Sequence, residues 1–230
     1  MSLQSFSNSI ADNVTAVRQR IEHAARACGR NPEDVCLVAV SKTRPATLIR
    51  AAAQAGCTDF GENYLQDAVP KIQALTDLGA TWHFIGAVQS NKTRAIAERF
   101  HWVHTVSRTA IAERLSRQCP PGKTLDVTIQ VNVDQDPAKA GVLPDAAAAL
   151  LDDIGGLANL RVRGLMTILA QSSPPSAGYG RLNALFAELA PHAPQPWDTL
   201  SMGMSGDFDD AVAAGATHLR IGTAIFGPRN

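Results

Sequence analysis

The sequence predicts an α/β protein, a single (β/α)8 barrel of the TIM type that opens with a helix. Three observations predict it. Short apolar, β-favouring runs alternate strictly with alanine-rich stretches. Eight such units in 230 residues match the size of a closed parallel barrel. No G-x-G-x-x-G follows the first strand, so the alternative, an open doubly wound sheet, lacks its dinucleotide fingerprint. No linker divides the chain, and residues 1–230 read as one domain.

The elements follow in order. Ile10, Val14, Val17 and Ile21 recur at helical spacing and form one apolar stripe. Glu22 and Arg26 add an i,i+4 pair, and Gly29 and Pro32 stop this opening helix. Strands are then expected at 35–40, 58–63, 82–88, 102–106, 126–133, 161–168, 199–204 and 218–226. The stretches between them are rich in alanine and leucine, and many end in glycine, as helices do. The segment "AQSSPPSAG", 170–178, reads as a long mouth loop between the sixth strand and its helix.

Composition excludes several classes. Lys+Arg and Asp+Glu are equal at 21 each, which gives no electrostatic footprint for nucleic acid or an anionic membrane. No run of apolar residues is long enough for a transmembrane helix, and the N-terminus lacks the basic start and apolar stretch of a signal peptide. Cys28, Cys36, Cys57 and Cys119 have neither metal-knuckle nor CxxC spacing. They read as reduced, mostly buried thiols of a cytoplasmic protein.

Barrel chemistry belongs at the C-terminal ends of the strands. "LVAVSKTRP" delivers Lys42 there from strand one, and "GEN" delivers Glu62 and Asn63 from strand two. "GMSGD", 203–207, is a glycine turn running into a helix that Ser205 is placed to cap. "IGT", 221–223, is a second glycine turn, with Gly222 and the Thr223 hydroxyl. Loops after strands seven and eight are the usual phosphate cup of a barrel. Alternation along strand eight puts Arg220 on the face of Gly222, opposite Leu219 and Ile221. In a closed barrel strand one lies beside strand eight. Lys42 then shares the mouth with the cup and with Arg220, where a desolvated amine near another cation suits imine formation. An imine-forming lysine facing a phosphate cup fits either pyridoxal 5′-phosphate (PLP) or a phosphosugar aldehyde.

"AVSKTRP", "FGENYLQ", "WHFIGAVQSNK", "RGLMTI", "LSMGMSGDFDDAVAAG" and "RIGTAIFG" together resemble the PLP homeostasis protein family. The resemblance spans most of the chain, and its fold is that of the N-terminal barrel of alanine racemase. It implies a Schiff base between PLP and Lys42. It implies phosphate ligation by Ser205, Gly222 and Thr223, and Arg220 beside the pyridine nitrogen. Asn63 and Met204 match residues lining the pocket. One departure is "GAVQSNK", where a proline is expected before the glutamine.

A cation facing the pyridine nitrogen disfavours its protonation and weakens the ring as an electron sink. The racemases also draw an opposing tyrosine from a second domain, for which 230 residues leave no room. The expectation is therefore a monomeric, non-catalytic carrier that takes part in PLP (vitamin B6) homeostasis and amino-acid balance and serves PLP-requiring apoenzymes. Two alternatives remain: a PLP-dependent amino-acid racemase using His83 or Tyr179, and a Schiff-base aldolase using Glu62. A hydrogen-bonded barrel histidine is the plainer account of His83.

Overall fold

The computed structural model describes residues 3–228, so the ends of the expected 1–230 domain lie outside the described residues. Helix α1 (Leu3–Ala27) leads into strands β1 (Cys36–Val40), β2 (Asp59–Glu62), β3 (Thr81–Phe84) and β4 (Trp102–Val106). Strands β5 (Leu125–Gln130), β6 (Leu160–Met166), β7 (Thr199–Ser201) and β8 (His218–Ile221) complete the set. All pair in parallel with their sequence neighbours, and β8 returns to β1 through Leu37 opposite Leu219 and Ala39 opposite Ile221. The result is the expected closed barrel. Intervening helices are α2 (Ala46–Gln54), α3 (Leu65–Ala74), α4 (Thr93–Arg99), α5 (Thr109–Gln118), α6 (Ala147–Ile154), α7 (Pro175–Leu189) and α8 (Phe208–Ala213), and α9 (Thr223–Phe226) follows β8.

Strand periodicity sorts the side chains into two layers. Leu37, Ala39, Phe60, Trp82, Phe84, Val103, Leu219 and Ile221 turn outward and join one apolar core with the inner faces of the helices. The α1 stripe of Ile10, Val14, Val17 and Ile21 is buried in that core. The exposed Arg26 guanidinium donates to Glu22 at 2.6 Å, as the spacing predicts. Alternate residues turn inward, and the barrel interior is unusually polar. Ser41, His83, His104, Thr128, Thr167 and Ser201 are fully buried there or at its ends. Burial pushes the pKa values of His83 and His104 below the ordinary histidine range.

That has a pH consequence. Histidines neutral in the fold but free to protonate when unfolded take up protons on unfolding. Stability is then fully present above about pH 6.5 and is lost as pH falls below it, by up to about 1.4 kcal/mol per pH unit for each histidine. Urea unfolding at pH 7, 6 and 5 checks this. Unchanged stability across that range would contradict it.

The expected elements differ from the observed ones mainly at the strands' C-terminal ends. Strand eight, expected at 218–226, stops at Ile221, and residues 223–226 are the helix α9. Their short apolar run carries no periodicity that separates strand from helix. Its Ile225 and Phe226 are buried, and Asn13 Nδ2 donates to the Ile225 carbonyl at 2.9 Å. Strands three, five, six and seven also end earlier than expected, and Ile85 and Met204, beyond the ends of β3 and β7, line the mouth. The 170–178 loop is shorter than expected, since α7 already starts at Pro175, a favoured first helical residue. Asp134 pins what remains: its carboxylate accepts from the Ala170 N–H at 2.6 Å, Ser173 Oγ at 2.7 Å and Arg181 at 2.6 Å.

All four cysteines are free thiols, but only Cys57 and Cys119 are buried, and Cys28 is exposed in the turn after α1. No helix among the described residues is long and apolar enough to cross a membrane.

Candidate functional site

Strand β1 ends in a frozen corner. The Ser41 N–H donates to the Gly61 carbonyl at 2.9 Å, and Ser41 Oγ donates to Glu62 Oε1 at 2.6 Å. Lys71 Nζ donates to the same carboxylate at 2.7 Å and to the Ser41 carbonyl at 2.9 Å. Burial raises the Glu62 pKa, against the pull of Lys71 and Ser41. This buttress fixes the backbone immediately before Lys42. Thr43 then adopts φ +63°, a left-handed conformation costly for a β-branched residue. The reversal lets Lys42 and Arg44 both line the mouth.

The mouth holds a cleft of about 290 Å³, at the small end of the range for ligand sites. All seven residues singled out from the sequence line it: Lys42, Asn63, Met204, Ser205, Arg220, Gly222 and Thr223. Val40, Ile85, Ile168 and Phe226 supply apolar walls. Sequence reasoning missed Arg44 and Gly206. Arg44 sits two residues beyond Lys42, and that spacing was the available signal. Its guanidinium donates to the Gly227 and Pro228 carbonyls, each at 2.7 Å, and so ties β1 to the C-terminal turn.

The two glycine turns meet, though not as expected. Ser205 does not cap α8, because that helix begins later, with Asp207 at its N-cap position. Asp207 Oδ1 instead accepts from the Met204 N–H at 2.7 Å. Ser205 Oγ accepts from the Ala224 N–H at 3.3 Å, which joins the turn after β7 to the start of α9. Gly203 is required by packing: its φ is +92°, and a Cβ there would lie 2.6 Å from Ala211 Cβ. Gly206 is different, since a Cβ would meet nothing within 4 Å. Its backbone lies open to the cleft.

Arg220 closes the floor. It is 5% exposed, and burial pushes its pKa down to about 10. Its Nη1 donates to Ser201 Oγ at 2.7 Å and its Nη2 to the Thr167 carbonyl at 2.8 Å. Opposite, Asn63 presents a buried Oδ1 that has no hydrogen-bond partner among the described residues. Gly86 holds Asn63 in place by close approach: a Cβ on Gly86 would stand 1.9 Å from the Asn63 carbonyl oxygen.

The ionisable groups lining the cleft are the Lys42 amine and the Arg44 and Arg220 guanidinium groups. Glu62 is sequestered behind Ser41 and is not in the lining. Neither His83 nor Tyr179 lines the cleft. His83 is bonded to Asp59 and His104, as expected of a barrel histidine, while Tyr179 is buried, with its pKa raised by burial and by Asp207. One amine, two guanidinium groups, hydroxyls at Ser205 and Thr223, and an unpartnered amide oxygen between apolar walls fit a flat aromatic aldehyde carrying a phosphate.

Residues 12–230 match the family model for the alanine racemase N-terminal domain. The pyridoxal phosphate homeostasis protein of Pseudomonas aeruginosa is 50% identical over 227 residues, 97% of each chain. The chain belongs to the pyridoxal phosphate homeostasis protein family. The Escherichia coli member of that family is 46% identical, covering 97% of this chain and 98% of its own. The solved structure of PipY from Synechococcus elongatus with PLP bound superposes with a TM-score of 0.83 at 39% identity, over 95% of this chain and all of that one. Alanine racemase from Corynebacterium glutamicum shares the fold at a TM-score of 0.71 and 18% identity. This chain spans only 61% of its length.

Proposed function

We propose that this protein binds PLP in the mouth cleft, holds it through Lys42 as a Schiff base, and serves intracellular PLP homeostasis without turning over amino acids. The observation that carries the reading is the composition of the cleft: one amine, two guanidinium groups, and no lining carboxylate, histidine or tyrosine. An amine and two guanidinium groups favour a phosphate-bearing aldehyde, while a racemase needs an acid/base group on the far side of the ring. Glu62, which an aldolase would use, is committed to Lys71 and Ser41. The PLP-bound PipY structure and the names of the family members support the same ligand.

In this reading Lys42 supplies the imine nitrogen. Ser205, Gly222 and Thr223 hold the phosphate, with Arg44 beside them. Arg220 donates towards the pyridine nitrogen and keeps it unprotonated, and Asn63 and Met204 flank the ring. PLP supplies an electrophilic aldehyde that would otherwise react with amines at random. Sequestering it in the cytoplasm for delivery to PLP-requiring apoenzymes follows from that chemistry, and amino-acid balance depends on those enzymes.

Thr223→Val is expected to weaken PLP retention by about 0.5–1.5 kcal/mol, one hydrogen bond's worth. Thr223 is exposed at the start of α9, so folding should not change. Equilibrium dialysis against PLP measures it, and equal retention would remove Thr223 from the phosphate site. The function itself is tested by incubating the PLP-loaded protein with amino acids in deuterated water. No α-proton exchange is expected, and exchange at enzymatic rates would favour a racemase.

A further inference from the structure

A continuous line of buried hydrogen bonds leaves the floor of the cleft and runs through the barrel interior. Arg220 Nη1 meets Ser201 Oγ at 2.7 Å, Ser201 Oγ meets His104 Nδ1 at 2.7 Å, and His104 Nε2 meets His83 Nδ1 at 2.9 Å. His83 Nε2 then meets Asp59 Oδ1 at 2.9 Å. Ser201, His104 and His83 are completely buried. Asp59 is the first residue of β2, at the strand end away from the mouth, and its side chain is 21% exposed.

The two ends of this line fix every proton in it. An arginine cannot accept, and an ionised carboxylate cannot donate. The His83 and Thr58 hydrogen bonds keep Asp59 below the ordinary carboxylate range despite its burial, and burial keeps both histidines neutral at pH 7. A neutral His83 must therefore carry its proton on Nε2 and donate to Asp59. Its Nδ1 then accepts from His104 Nε2–H. His104 Nδ1 in turn accepts from the Ser201 hydroxyl, whose oxygen accepts from Arg220. Each donor points the same way, from cation to anion, and bonds so aligned polarise and strengthen one another. Arg220's own partners are a hydroxyl and a carbonyl, and no carboxylate pairs with it among the described residues. Other groups face the line without joining it. His218 packs against both histidine rings, with centroids 6.1 Å from His83 and 6.0 Å from His104, and Trp102 stacks on His83 at 5.7 Å.

We propose that Asp59 is the remote anchor of the cleft arginine, acting through His83, His104 and Ser201 as positioning residues that fix the orientation and proton arrangement of Arg220 beneath the bound cofactor. The proposal rests on the PLP reading of the cleft for its consequence, but the relay itself is a property of this chain. A sheet of apolar interior residues would pack the barrel as well. A polar line ordered in one direction holds a guanidinium in register without placing a carboxylate next to the cofactor ring.

Two measurements test it. The first is nitrogen-15 NMR of the histidine rings without PLP. His83 and His104 should each be neutral at pH 7 and protonated only at Nε2. In Asp59→Asn, which keeps the shape but not the charge, His104 should show both tautomers. A proton on Nδ1 of either ring in the natural protein would overturn the relay. The second is titration with PLP, followed by absorbance. Ser201→Ala should weaken binding about tenfold, as for loss of a hydrogen bond to a charged group, and should shift the band of the bound cofactor. Ser201→Thr, which restores the hydroxyl, should recover both, and Asp59→Asn should shift the band in the same direction as Ser201→Ala. Natural affinity and an unshifted band in both Asp59→Asn and Ser201→Ala would overturn the positioning role. If the natural protein takes up no PLP, the proposed function fails, and the NMR result still decides the relay.

Discussion

Lys42→Ala is expected to reduce the borohydride-trappable PLP adduct to background. Lys42 is the sole amine among the residues lining the cleft. Lys71, the nearest in the buttress, is held by Glu62 and the Ser41 carbonyl. Arg44 and Arg220 offer guanidinium groups, which stay protonated and do not form imines at neutral pH. The residue is only half-buried and follows the fixed corner without forming it, so stability should change by less than about 1 kcal/mol. Loss of label with an unchanged melting temperature separates loss of the bond from loss of the fold. The phosphate residues remain in the variant, so weakened, non-covalent PLP binding should persist. Undiminished labelling would move the covalent site elsewhere.

Gly86→Ala is expected to have the largest effect on stability, about 3 kcal/mol. The added methyl would sit 1.9 Å from the Asn63 carbonyl oxygen, a backbone atom that cannot swing aside. Either β2 and β3 separate at the mouth or Asn63 leaves the cleft. The Gly86 carbonyl also accepts from Thr105 Oγ1 at 2.5 Å, which couples the strain to β4. Gly206→Ala serves as the matched comparison. It lines the same cleft but has open space at the new methyl, so its stability should stay within about 0.5 kcal/mol. Urea unfolding of both variants measures this. A Gly86→Ala protein as stable as the natural one would mean that Asn63 is not held by that contact.

The architecture was legible because each unit announces itself twice, by a β-favouring run and by an alanine-rich helix after it. Strand ends were harder to read. Ile85 and Met204 look like strand residues, yet they lie beyond the ends of β3 and β7 and line the mouth. The same ambiguity disguised α9, whose Thr223–Phe226 run favours strand by composition and becomes helix because Ile225 and Phe226 must be buried after Gly222. The gathering of Lys42, Arg220 and the two glycine turns followed from barrel topology alone. The strand ends also brought Asn63 and Met204 to the mouth, and their pocket-lining role came from the family resemblance. Arg44 was hidden because its orientation depends on the left-handed Thr43, which no residue type there signals. The interior relay was hidden for another reason. It joins β2, β3, β4, β7 and β8, and only the barrel's register brings His83, His104 and Ser201 into contact.

The central claim is that one amine and one phosphate cradle in the mouth hold a single PLP. The most direct measurement is a visible spectrum of the purified, PLP-loaded protein before and after borohydride, followed by peptide mapping. A yellow band lost on reduction, with the pyridoxyl label on the peptide containing Lys42, is the predicted result. A colourless protein, or a label on any other lysine, would contradict it.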